Sequence, residues 1–440
     1  MNNSLTAHKV RAQLQRFLGV LSPRFSVPEL KFLGDMLYGI QAAKDVKLSC
    51  IGRALDEDIP LRKTEMRLGR NLGREGFAGR VFDAIAREGA RNIGKDTVIA
   101  VDPTDIRKLY ARKMENLAAV RDGDKDEPGR GYWLCAAVSC QSGGRRITPL
   151  HLRLWSHEAD GFVSENAEMF AAIDAVRAHA GRRGIYAIDR GGDRDEVFNH
   201  LADNKLGFVI RLVGNRNLVS RKREALAERL AGKCKMRYAE TIRRETPEGE
   251  KVYAIEYGSM PVRLPHRDEE LRIVAVRGFG DKPMMLLTTL ASEGSRKSHW
   301  QAVEGYLTRW RVEDAIRFVK QSYRLEDIRL LAEEHDGGRA GDGALRRRLP
   351  RRGRAPQHPR EQHHPRLQAA LRCSGVPLLR HRRWHRHALP ALRRVDAQAP
   401  ARRHPRTPRA APLFEFLKKN NSKNGGSPQN KHLTKAPLRL

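Results

Sequence analysis

The chain has 440 residues, 40% of them hydrophobic, which is room for two or three domains with real cores. No apolar run reaches the roughly 18 residues of a membrane-spanning helix, and the opening MNNSLTAHKVRAQLQRF has no apolar centre of the secretory kind, so the expected compartment is the cytoplasm. The formal net charge of +32 points to a polyanion partner, but residues 336–440 alone carry 26 Lys and Arg against 5 Asp and Glu, so most of the excess belongs to the last quarter.

Residues 1–95 read as a helical N-terminal domain. VPELKFLGDMLYGIQAAK has apolar residues at helical spacing, a second helix begins near Ser49 in SCIGRAL, and a third runs through RKTEMRLGRNLGR with Arg62, Arg67 and Arg70 along it. Short helices joined by tight turns, one of them basic, suit a DNA-binding unit of the helix-turn-helix kind. A small bundle that only packs on its neighbour has the same pattern.

The pattern changes at residue 97. TVIAVDPTDI is a short apolar run ending in acid, and GYWLCAAVSC and RRITPLHLRLWS follow as strands, after the polar loop ENLAAVRDGDKDEPGR. NAEMFAAIDAVRAHAG is helical, GIYAIDR is a strand ending in acid, DRDEVFNHLADNK is a helix and GFVIRLV a fifth strand. Three strands, a helix, a strand, a helix and a strand give an α/β fold with the order of an RNase H-like mixed sheet, helices on both faces. Residues 96–214 are its first part. Residues 215–295 alternate in strand fashion through MRYAETIRRE, EKVYAIEYGSM, LRIVAVRGF and PMMLLTTL and read as a β-rich insertion. Residues 296–335 return to the catalytic fold with one long helix, HWQAVEGYLTRWRVEDAIRFVKQSYR.

After residue 335 the text turns to Arg, Pro, His and Ala, as in RRRLPRRGRAPQHPREQHHPR, with no helix or strand period. Residues 336–440 read as a GC-rich gene translated out of frame, or as a disordered basic tail. In either case residues 336–412 are expected not to pack on the catalytic sheet. The five cysteines, Cys50, Cys135, Cys140, Cys234 and Cys373, are odd in number and match no zinc spacing. Cys135 and Cys140, five apart on one strand, face opposite sides.

The chemistry rests on carboxylates. Cleaving a phosphodiester with two metal ions needs a few acids converging on cations about 3.5–4 Å apart, and the hard Mg²⁺ ion prefers their oxygens to sulfur or imidazole. Asp102 ends TVIAV and Asp189 ends GIYAI, at matching ends of what become adjacent strands. In YLTRWRVEDAIRFVK, a continuous helix brings Tyr306, Arg309, Glu313 and Lys320 within an arc of roughly 60°. Arg and Lys beside a carboxylate suit a metal site facing phosphate. A solvated face with an Arg309–Glu313 pair has the same spacing.

Tyr306, Arg309, Glu313 and Lys320 at these intervals resemble the Tyr–Arg–Glu–Lys signature of a large group of bacterial insertion-sequence DDE transposases, which cut and paste DNA on an RNase H-like fold. DRGGDR, from Asp189 to Arg194, resembles that group's second-Asp motif, and VDPTD, with Asp102 and Thr104, its first. The resemblance covers roughly residues 97–330. It implies that Asp102, Asp189 and Glu313 are catalytic and hold two Mg²⁺ ions, with Mn²⁺ able to substitute. It further implies that Tyr306, Arg309 and Lys320 grip DNA phosphates, with Arg211 and Arg216 as further DNA contacts. The partners it implies are double-stranded DNA, as inverted-repeat ends and target, and a second copy of the chain on paired ends, at the nucleoid. The aromatic that such insertions place on a flipped base has no clear counterpart, since PMMLLTTL offers Met284 and Met285, with Trp300 just after. Two rival readings are a plain nuclease on the same fold and a truncated or frameshifted remnant that only binds DNA.

Overall fold

A computed structural model of the chain describes residues 3–328, apart from 112, 122–127, 143, 145, 247–248 and 291–294, together with Arg393–Arg394. Five helices come first: α1 (Asn3–Leu21), α2 (Val27–Ala43), α3 (Leu48–Leu55), α4 (Leu61–Leu72) and α5 (Phe77–Ala90). Helix α2 starts on a capping box, in which the Ser26 and Glu29 side chains answer each other's backbone N–H, with Pro28 in the first turn. The Arg80 guanidinium, bonded to Glu29 from α5, and the Ser26 donors pull the Glu29 carboxyl down to about 2.

The helices do not stand apart from the sheet. Phe32, Met36, Leu68, Phe77 and Val81 share one core with Ile106, Tyr132 and Leu154 of the strands and with Val319 and Tyr323. On α4, Arg67 is held inside the bundle by Asp35 at 2.8 Å and Glu57 at 2.6 Å. Arg62 and Arg70 are exposed.

The strands are β1 (Thr97–Arg107), β2 (Ala118–Arg121), β3 (Pro128–Gln141), β4 (Ile147–Trp155), β5 (Ile185–Ile188) and β6 (Gly207–Arg211), with α6 (Glu165–Ala180) and α7 (Asp195–Asp203) between the later ones. They pair in the order β4-β3-β1-β5-β6. β3 is antiparallel to β1 and β4, while β1, β5 and β6 are parallel. β2 lies in the stretch read as a polar loop and adds to the far edge of β3.

Residues 215–295 hold the hairpin β7 (Asn217–Ser220) and β8 (Arg223–Leu226), the short helix α8 (Ala227–Lys233), and β9 (Tyr238–Thr246), β10 (Gly249–Val262), β11 (Leu271–Arg277) and β12 (Met284–Thr288). β12 pairs antiparallel with β6, so β9 to β12 extend the same sheet, while β7 and β8 form a separate two-stranded one. Two helices follow, α9 (Arg296–Thr308) and α10 (Arg311–Ser322).

Strand alternation divides the core in two. Ile99 and Val101 of β1, Tyr186 and Ile188 of β5, and Phe208 and Ile210 of β6 pack against α6 and α7 through Ile173, Val176, Val197 and Phe198. On the opposite face, Val98, Ala187 and Val209 meet Val303 and Tyr306 of α9. Ala100 there meets Val312, Ala315 and Ile316 of α10. Cys135 and Cys140 fall into different cores, one on each side of β3, and are free thiols.

Among the described residues no helix is long and apolar enough to cross a membrane. The expectation for residues 336–412 lies outside the described residues except at Arg393–Arg394, which pair antiparallel with Arg243 and Ile242 on β9, at the outer edge of the sheet.

Candidate active site

Alternation decides where the acids go. Val98 and Ala100 face the α9 and α10 side, so Asp102, two residues further on, faces it too. Ile185 and Ala187 face the same side, and so therefore does Asp189. The parallel register pairs Ala100 with Ala187, which carries Asp102 and Asp189 to matching heights on neighbouring strands. β6 continues the row. Ala187 pairs with Val209, so Arg211 comes level with Asp189 on the third strand.

Asp102 does not end its strand, as the sequence suggested. β1 runs on to Arg107, still paired with β3. Pro103 is tolerated because β5 pairs with β1 only as far as Ala100, leaving that edge of β1 without a ladder to break.

Asp189 caps the short turn Arg190–Gly192, its Oδ1 accepting from the Gly191 N–H at 2.8 Å. The two glycines of DRGGDR have a steric reason. A Cβ on Gly192 would stand 2.5 Å from Ile188 Cγ2, and one on Gly191 would stand 3.0 Å from the Asp189 carboxylate. Gly192→Ala overpacks a buried turn and is expected to cost about 1–3 kcal/mol. Urea unfolding checks this, and an unchanged midpoint would show that the turn yields.

Glu313 comes from the first turn of α10. Val312, Ala315, Ile316 and Val319 form its buried stripe and leave Glu313 beside the sheet edge, its side chain 44% exposed. The long helix expected from the sequence is broken between α9 and α10, and Arg309 and Trp310 form the junction. The shared helical arc of the four signature residues is therefore broken as well. Tyr306 is 3% exposed and packed in the core under α9. Lys320 lies 3.5 Å from Asp105 and 3.8 Å from Glu326.

Arg309 lies at the centre. Its Nη2 donates to Glu313 Oε1 at 2.8 Å and its Nη1 stands 3.6 Å from Asp102 Oδ1. The residue is 5% exposed, and its guanidinium carbon is 5.7 Å from the Tyr306 ring centroid. Burial pushes Asp102 up to about 7. Arg309 opposes that rise, and the charges of Asp189 and Glu313 add to it. Asp102 thus feels both other carboxylates, and Arg309 feels all three.

A pH dependence follows. Asp102 has a folded-state pKa above its unfolded value of 3.8, so its contribution favours the fold at low pH and is lost as pH rises through about 7. In chelator, Asp102→Asn should flatten the decline in melting temperature between about pH 4 and 7. An identical decline in the variant would contradict the shift. Asp314, pushed up to about 6 by burial against the pull of Arg311, works in the same direction.

Several residues near the site escaped the sequence. Arg244 of β9 lays its guanidinium over Trp310 at 3.3 Å from the ring centroid, bringing the insertion to the α9–α10 junction. Asp314, its side chain 12% exposed, follows Glu313 and pairs with Arg311 at 3.5 Å. Neither carries a local signal, because each depends on a contact distant in sequence or on burial. Of the two further arginines, Arg211 sits in the Asp102–Asp189 row and has no ion-pair partner among the described residues. Arg216 is clamped by Asp193 and Asp195 and stacks on Phe198 at 4.8 Å. Met284 and Met285 are buried, and Trp300 is half-buried against Tyr257. A cavity of about 690 Å³ between α3, α4 and the segment after β1 is lined by Lys47, Glu65, Lys108 and Glu326, and none of the three acids reaches it.

The family model for the transposase DDE domain matches residues 93–336, more than half of the chain. The chain belongs to the DDE transposase family. The match spans β1 through α10 and includes every residue of the carboxylate site. Among solved structures, the chain is similar to the piggyBac transposase in a cryo-EM synaptic complex with hairpin DNA, at 11% identity and a TM-score of 0.37, over 65% of this chain. It spans 59% of that chain's length. No curated protein matches. Transposases of this family use divalent metal ions, and the donors here are carboxylate oxygens, the set that hard cations take. Among the described residues no three acids, histidines or cysteines stand as a ready-made metal cage. Arg309 lies between two of the three acids instead. Carboxylate oxygens whose charges crowd the buried Asp102, offset among the described residues by the Arg309 guanidinium, fit a dication.

Proposed function

We propose that this DDE transposase cleaves DNA at insertion-sequence ends and transfers the freed strand to target DNA, on an RNase H-like fold. The observation that carries the reading is the Asp102–Arg309–Glu313 bridge beside Asp189, on strands in the order β4-β3-β1-β5-β6. In this reading residues 96–214 and 296–335 form the catalytic domain, residues 215–295 an insertion in it, and residues 1–95 a helical DNA-binding domain.

Asp102, Asp189 and Glu313 would hold two Mg²⁺ ions, or Mn²⁺ in their place. When bound, such a pair activates the attacking oxygen and stabilises the leaving one. The rest is the work of the chain. The β1–β5 register fixes two carboxylates on rigid backbone, and the apolar stripe of α10 fixes the third. Arg309 and Arg211 flank the row with positive charge for the phosphates on either side of the cut. Lys320 extends it from the far end of α10, where it must share itself with Asp105 and Glu326. Tyr306 supports Arg309 through its ring face. The partners are double-stranded DNA, as ends and as target, and a second copy of the chain on the paired end.

Two measurements test this. Cleavage of DNA carrying the element's end should require Mg²⁺ or Mn²⁺, and cleavage undiminished in chelator would refute the reading. Arg211→Ala should weaken binding to all duplexes alike and reduce the slope of log affinity against log salt by about one unit. An unaltered slope would remove Arg211 from the DNA contacts.

A further inference from the structure

We propose that Arg309 is an internal counter-ion that holds the Asp102 and Glu313 carboxylates until a DNA phosphate draws it away, so that metal loading and DNA binding favour each other. The inference rests on the reading of these carboxylates as metal donors.

An ordinary i,i+4 ion pair engages one acid on the surface of one helix. This one spans two elements. Arg309 reaches Glu313 on α10 at 2.8 Å and Asp102 on β1 at 3.6 Å, with its side chain 6% exposed. A guanidinium paired with these carboxylates and a dication bound to the same oxygens compete, because they use the same negative charge and repel each other at close range. The carboxylates therefore have two alternative cations, one of them built into the chain.

The arginine is also poorly satisfied where it lies. Its Nε is buried without a hydrogen-bond partner, which is a costly state for a charged donor. A phosphate offers several acceptors to a planar fork and is a better partner. The backbone allows the exchange. Arg309 closes α9, and α10 begins two residues later, so a shift at this position disturbs the end of one helix and the start of another rather than a helix interior. The neighbouring cations are not equivalent substitutes. Arg311 is paired with Asp314, Lys320 with Asp105 and Glu326, and Arg244 lies over Trp310.

If DNA and the carboxylates compete for one arginine, and the arginine and metal compete for the carboxylates, then DNA must raise metal affinity and metal must raise DNA affinity by the same factor. An apo enzyme of this design keeps its acids from collecting cations away from DNA.

The test is Mn²⁺ binding to the full-length protein, followed by the electron paramagnetic resonance signal of the free ion, with and without a short DNA duplex of arbitrary sequence. For the wild type, DNA should tighten Mn²⁺ binding roughly 5-fold or more. Arg309→Gln should bind Mn²⁺ more tightly by a similar factor with no DNA present, and DNA should then add little. Arg309→Lys keeps the charge but loses the two-pronged reach. It should behave like Arg309→Gln if bridging matters, and it serves if the glutamine variant misfolds by circular dichroism. Folded variants that bind Mn²⁺ no better than wild type without DNA would overturn the proposal, with the metal-donor reading intact so long as Asp102→Asn abolishes binding. If Asp102→Asn binds Mn²⁺ as well as wild type, the metal-donor reading has failed and the proposal falls with it.

Discussion

Replacing Asp102, Asp189 or Glu313 by alanine should lower cleavage of transposon-end DNA by roughly 10⁴-fold, the scale on which members of one catalytic unit fail together. Binding of the same DNA should change little. In the proposed reading the three residues act as a unit, since the charges of Asp189 and Glu313 both reach Asp102. Burial together with Asp189 and Glu313 holds Asp102 up at about 7 against the pull of Arg309. Double and triple variants should therefore be hardly worse than single ones. Asp105→Ala is the informative control. Asp105 lies on the same strand, three residues on, is buried and faces Lys320 rather than Arg309. Retained cleavage in Asp102→Ala together with loss in Asp105→Ala would move the site one strand-face over.

Arg216→Ala should destabilise the fold by about 3–5 kcal/mol, the cost of stranding a buried charge. The charge is that of Asp193, whose side chain is 2% exposed and bound by Arg216, with the Val213 N–H at 2.7 Å as the one further donor to that side chain among the described residues. Arg216 also stacks on Phe198, so packing is lost with the pair. Asp195→Ala, removing the 51% exposed partner, should cost no more than about 1 kcal/mol. Guanidinium unfolding separates the two. A small loss of stability in Arg216→Ala, combined with a weaker salt dependence of DNA binding, would make Arg216 a DNA contact and not a clamp.

Arg211 and Arg216 show where sequence reading stops. Both stand in FVIRLVGNR, both are basic, and nothing local separates them. The β6 register sends Arg211 into the Asp102–Asp189 row, whereas two aspartates of the DRGGDR turn and α7 capture Arg216. Partners brought together by folding leave no mark on a nine-residue window.

The period of two was legible. TVIAVD and GIYAID each place their acid on the face opposite Val101 and Ile188, and the structure puts that face under α9 and α10. The break between α9 and α10 was not legible, because Arg309 and Trp310 are neither glycine nor proline and ordinarily sit within helices. It arises from packing. Tyr306 is sunk beneath α9 while the Val312 stripe of α10 rests on β1 and β3. The extension of β1 past Pro103 was hidden for the opposite reason. Proline reads as a strand end, yet the ladder with β5 had already stopped at Ala100. The attachment of β12 to β6 was also invisible, since alternation shows that a segment is a strand without showing which edge it joins.

The most direct test of the carboxylate site is anomalous diffraction from crystals of the full-length protein bound to end DNA and soaked in Mn²⁺. The account predicts anomalous peaks bounded by the carboxylates of Asp102, Asp189 and Glu313, with Arg309 turned from Asp102 toward a phosphate. Manganese bound elsewhere, with Arg309 still bridging Asp102 and Glu313 in the DNA complex, would contradict it.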